Sequence, residues 1–170
     1  MNHAHHGHHD HFAHGASPAQ DGHSTQRGLN ALAWSATLHC LTGCAIGEVL
    51  GMVIGTALGW GNLETIAIAV VLAFFFGYAL TVRPLLRDGM RLRQAAKLAL
   101  AADTASITVM EIVDNLIMLV IPGAMDAGLD SALFWGSLAF ALAVAAVAAF
   151  PVNRWLIARG KGHAVVHAHH

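Results

Sequence analysis

The chain has 170 residues, of which 56% are hydrophobic and only 11% charged. A soluble domain carries about 25% charged residues, so this composition excludes an ordinary soluble globular protein and points to an integral membrane protein. The length suits one compact bundle, and the net charge of −1 carries no message about partners because the charges are so unevenly placed.

Residues 1–28 are of low complexity. They hold His3, His5, His6, His8, His9, His11 and His14, irregularly spaced, followed by polar residues with Gly and Pro. The stretch lacks the apolar core and basic start of a signal peptide. Its composition is that of a disordered, metal-collecting tail, with a merely soluble, pH-responsive tail as the plain alternative. A second, shorter histidine-containing tail occupies 159–170, with His163, His167, His169 and His170.

Between the tails, residues 30–158 form an all-α membrane domain. Its four apolar segments span about 31–59, 63–82, 97–121 and 131–157, each long enough to cross the roughly 30 Å hydrocarbon core. Trp34, Trp60, Trp135 and Trp155 stand near segment ends, where interfacial aromatics belong. The basic residues are Arg27, Arg83, Arg87, Arg91, Arg93, Lys97, Arg154, Arg159 and Lys161. With four spans they all fall on one side, while Glu64, Asp126 and Asp130 fall on the other. The positive-inside rule places both termini in the cytoplasm. The spacing of Arg83, Arg87 and Arg91 predicts a short interfacial helix over 83–97.

The first segment carries Gly43, Gly47, Gly51, Gly55 and Gly59 at intervals of four. Such a row lies on one helix face and permits close helix packing in lipid, here read as a contact that also builds a homo-oligomer. Beside it runs Cys40, Cys44, Glu48 and Met52. Two thiols one turn apart can chelate one ion, by the geometry that lets two histidines at i and i+4 hold zinc. His39 lies ~100° around the helix and joins as a ligand by reaching around. A disulfide is excluded by the poor Cβ geometry of such a pair. The plain alternative is that both cysteines are small packing residues.

The third segment carries Asp103, Met110, Glu111, Asp114, Asn115 and Met118. Carboxylates in a span cost about 2.5–3.5 kcal/mol each on insertion scales, so they must face the bundle interior, a watery cavity or a cation. Asp103, Glu111, Asp114 and Asn115 are the expected ion or proton relay; Met110 and Met118 join the metal donors. Glu48 and Glu111 fall at similar depth, as do Cys40 and Asp103. Both pairs are separated by one offset, so the halves read as two parallel αα-hairpin repeats, or as chance matching of apolar segments. The second and fourth segments offer little beyond packing. No phosphate loop, dinucleotide fingerprint or hydrolase signature occurs, so neither a nucleotide cofactor nor a nucleic acid is indicated.

Across the runs HCLTGCAIGEVLGMVIGTALG, LALAADTASITVMEIVDN and FPVNRWLIARGKGHAVVH, the chain resembles a bacterial and archaeal membrane family, domain of unknown function 4396 (DUF4396). His39, Cys40, Gly43 and Cys44 match its HCxxGC motif, and the resemblance covers most of residues 30–167. It implies a multi-pass protein of the bacterial inner membrane, loosely associated with copper.

The leading expectation is a non-enzymatic inner-membrane protein that binds or transports a transition metal. Copper is favoured by the sulfur donors, with zinc, nickel or cobalt also fitting the histidines. A metal-handling protein partner is expected with it. The alternatives are a structural or assembly protein that uses its polar residues for helix packing, and a small redox or haem-associated membrane protein using Cys40, Cys44 and His39.

Overall fold

A computed structural model describes residues 18–159, with the side chains of 18–25 left aside. The histidines at 3–14 and 163–170 therefore lie outside the described residues. Within them the chain is four helices: α1 (Pro18–Leu58), α2 (Asn62–Arg87), α3 (Leu92–Val120) and α4 (Ala132–Ala158). They form two antiparallel hairpins, α1 with α2 and α3 with α4. Each hairpin packs on the other through α1 against α4 and α2 against α3, with α1 and α3 meeting across the centre.

Residues are distributed inside out relative to a soluble protein. The buried apolar positions are mostly alanines, such as Ala69, Ala73, Ala99, Ala141, Ala145 and Ala149, while Leu63, Val71, Phe75, Ile112, Leu116, Leu119 and Val147 face outward. Asp103, Glu111 and Asp114 are buried instead. Only a hydrocarbon solvent makes that arrangement favourable, since it offers apolar side chains a partner and carboxyls none. This is a multi-pass membrane protein.

Three helices are long and apolar enough to cross a bilayer: Gln26–Leu58, Asn62–Arg87 and Ala132–Ala158. The fourth, α3, has 29 residues and therefore sufficient length, but its three acids lower its hydropathy. The helices outrun the segments read from hydropathy because polar turns continue them. Thus α1 begins at Pro18 and α2 continues through Arg83 to Arg87. The interfacial helix expected over 83–97 does not exist. Its first half completes α2, its second half opens α3, and a tight turn at residues 88–91 joins them, where Gly89 takes φ +85°. The four-residue arginine spacing was a genuine helical signal, but it belonged to the ends of two long helices.

The glycine row is the tightest contact in the bundle. A Cβ at Gly43 would stand 2.7 Å from Gly77 Cα, and one at Gly51 would stand 2.5 Å from Ala69 Cα. Gly47 faces the Ala73 backbone and Gly55 the Thr65 side chain just as closely. The partner row Thr65, Ala69, Ala73, Gly77 belongs to α2 of the same chain, so the face expected to build an oligomer is already covered. Gly59 takes no part; it turns the chain after α1 with φ +65° and has open space around it.

Replacing Gly47 by Ala forces two backbones apart, at an overpacking cost of about 1–3 kcal/mol. Gly28, where a Cβ meets nothing within 4 Å, is the matched control. Unfolding in mixed micelles is expected to show Gly47→Ala destabilised by that amount and Gly28→Ala unchanged or slightly more stable.

Candidate functional site

With α2 against its glycine face, α1 turns the neighbouring row toward the bundle axis. Cys40, Cys44, Glu48 and Met52 are all buried there. Helix α3 meets them with Asp103, Ser106, Met110, Glu111, Asp114 and Met118, all buried. The two rows form a polar and sulfur-bearing column in successive tiers.

The tier nearest the start of α1 is hydrogen-bonded. Asn153 Nδ2 donates to Thr37 Oγ1 at 2.9 Å, and Thr37 donates to the Ala33 carbonyl at 2.8 Å. One turn further, Thr81 Oγ1 donates to Asp103 Oδ2 at 2.5 Å. With its proton so placed, the Thr81 oxygen accepts from His39 Nε2, 3.1 Å away. The Cys40 thiol reaches Asp103 Oδ1 at 4.0 Å. His39 is therefore held beside Asp103 through a threonine of α2. The Ser106 hydroxyl lies next to Cys40, with no partner at full hydrogen-bond geometry among the described residues.

In the second tier, Cys44 Sγ faces Met110 Sδ at 4.0 Å. Both cysteines are free thiols, as their spacing predicts. They do not share a partner: α3 offers Asp103 to one and Met110 to the other.

The third tier holds Glu48, Glu111 and Asp114, which are 6%, 5% and 2% exposed. Their carboxyls lie close enough to act on one another, and Glu111 also neighbours Cys44. Both oxygens of Glu111, both of Asp114 and Oε1 of Glu48 have no hydrogen-bond partner among the described residues. Asn115, expected in the relay, instead donates to the Glu111 backbone carbonyl at 2.9 Å, within its own helix. Among the described residues, no three His, Cys, Asp or Glu side chains converge as a ready-made metal site.

Three residues of this column were not expected from sequence: Thr37, Thr81 and Asn153. Thr81 and Asn153 close rows of small residues on α2 and α4 that open on Thr65 and Ser137. Those rows, Thr65–Ala69–Ala73–Gly77–Thr81 and Ser137–Ala141–Ala145–Ala149–Asn153, run at the same four-residue spacing. That spacing was a signal available in the sequence, because it points both polar ends into the interior.

The runs that build the column also match a family model, described as a domain of unknown function (DUF4396), over residues 30–162. The chain belongs to the DUF4396 family. No curated protein and no solved structure matches it. In this DUF4396 chain the matched region takes in all the tiers.

The tiers differ in how their polar groups are satisfied, and stability should report it. Replacing Asp103 by Ala removes the carboxylate acceptor of Thr81, whose hydroxyl keeps the longer bond to the Gly77 carbonyl at 3.3 Å, and is expected to cost about 0.5–1.5 kcal/mol. Glu111→Gln and Asp114→Asn, which keep the shape and remove a buried ionisable group, are expected to leave stability unchanged or raise it. Micellar unfolding of the three variants decides the point.

Proposed function

We propose that this protein handles a cation within the inner membrane, with a soft or borderline transition-metal ion as its cargo, copper before zinc, and with the carboxyl tier exchanging protons. The observation that carries this reading is the third tier. A packing network satisfies its own polar groups, because each one left unpaired costs about 1–3 kcal/mol. Here five oxygens of Glu48, Glu111 and Asp114 have no hydrogen-bond partner at bonding distance among the described residues; the groups near enough to share a proton with them are one another and Cys44, so a shared proton, a cation or water has to offset that cost. Thiol and thioether sulfur, the donors of Cys44 and Met110 one turn away, select soft ions.

In this reading α3 is the fourth span. Its acids point inward, and Leu100, Ile112, Leu116 and Leu119 cover its outer face. The bundle end holding the start of α1 and the end of α4 carries the basic residues and faces the cytoplasm. The histidine tails then collect ions on the side where His39 and Cys40 stand. Residues 63 apart meet across the centre, Cys40 with Asp103 and Glu48 with Glu111, which supports two parallel hairpin repeats about a pseudo-twofold axis.

The second reading, a structural or assembly protein, is favoured by the first tier, where Thr37, Thr81, Asp103 and Asn153 are joined to one another as a packing network would join them. Metal content separates the two. A chain trimmed of residues 1–17 and 160–170 is loaded with Cu(I) or Zn(II), washed and analysed beside Cys40→Ser/Cys44→Ser and Glu48→Gln variants. The expected result is about one bound ion per chain, lost at least tenfold in either variant. Loss of all metal on trimming alone would reduce the protein to a histidine buffer on a packing scaffold.

A further inference from the structure

The column continues past the carboxyl tier. Met52 lies one turn beyond Glu48 on α1, and Met118 one turn beyond Asp114 on α3. Both are buried, at 8% and 4% exposure, in one packed cluster. Met125, from the connection between α3 and α4, packs against the same cluster. Three of the six methionines in the chain thus gather at one end of the bundle, from three separate segments.

Two of them border a cavity, and Met118 packs in the same cluster without lining it. Met52 and Met125 line a space of about 370 Å³, with Thr56, Asn62, Thr65 and Asp126 among its other walls. Asn62 Nδ2 donates to Asp126 Oδ1 at 3.4 Å, which ties the two loops of this end together. Asp126 is exposed. The cavity's lining therefore combines two thioethers with an exposed carboxylate. Methionine fills gaps in many cores, but a core gap does not open onto a polar cavity with an acid at its rim.

Neutral thioethers bind soft ions, and hard divalent ions require oxygen donors. Three thioethers bring no charge, so one nearby carboxylate balances a single positive charge. We propose that Met52, Met118 and Met125 form a site for a soft monovalent cation, Cu(I) or its redox-inert analogue Ag(I), with Asp126 drawing the ion into the cavity. The site rests on the cation-handling reading of the same column and supplies the column's second mouth, opposite His39 and Cys40.

The full chain, labelled with carbon-13 at its methionine methyl groups and held in micelles, is titrated with Ag(I). Single Met→Leu variants, which conserve volume and fold, assign the signals. The methyl resonances of Met52, Met118 and Met125 are expected to move together with one midpoint. Met90, in the turn between α2 and α3, should stay still, and Zn(II) should move none of them. Met52→Leu should raise the midpoint for the other two at least tenfold, and Asp126→Asn should raise it severalfold. Three separate midpoints, or no movement of the three, overturns the site. Met110 reports the Cys44 tier independently. If Met110 moves and the three do not, this site fails and the cation-handling column stands; if none of the four moves, both fail.

Discussion

Carboxyls cannot be left facing hydrocarbon, and the architecture follows from that constraint. Asp103, Glu111 and Asp114 fix which face of α3 must be enclosed. Enclosure needs helices that come close, and close approach needs small residues on the enclosing faces. That is why α2 and α4 present rows of alanine, glycine, serine and threonine inward, with Leu85, Phe134, Leu138 and Leu156 among the larger buried residues, while Val71, Phe75, Phe140 and Val147 face outward. The alanine content of the core, which would leave a soluble protein poorly stabilised, is suitable in a solvent where burial of leucine gains nothing.

The glycine row belongs to the same logic at one remove. Its role is to bring the α1 and α2 backbones into contact, and by doing so it sets the rotation of α1 about its own axis. The sulfur and carboxyl row beside it is aimed at α3 as a result. The polar column and the packing contact thus lie on adjacent faces of one helix, and a change to one face bears on the other.

Much of this was legible in the sequence, and for identifiable reasons. Charge and hydropathy marked the four helices. The cost of buried acids predicted that α3 would turn them inward, and the sequence placed Cys40 level with Asp103 and Glu48 level with Glu111 without saying that they would meet. What was not legible was partner choice. A row of glycines announces that a backbone will approach, but α2 of the same chain and α1 of a second chain answer that description equally. Likewise Thr81 and Asn153 looked like two more small polar residues in apolar helices. Their importance lies in the hydrogen bonds they make across the bundle, which no local pattern encodes. The two thiols were read as a joint chelate because spacing along one helix is visible in sequence, whereas the partner that α3 sets opposite each thiol is not.

The turn at residues 88–91 does more than connect α2 to α3. Before it, α1 and α2 are locked together, since no side chain separates their backbones and neither can slide past the other. After it, α3 and α4 form the other body. Every tier draws one member from each: Cys40 and Asp103, Cys44 and Met110, Glu48 and Glu111, Met52 and Met118. The seam between the two hairpins and the polar column are one surface. Separating the hairpins would part all the tiers at once, together with the apolar clusters that bridge them.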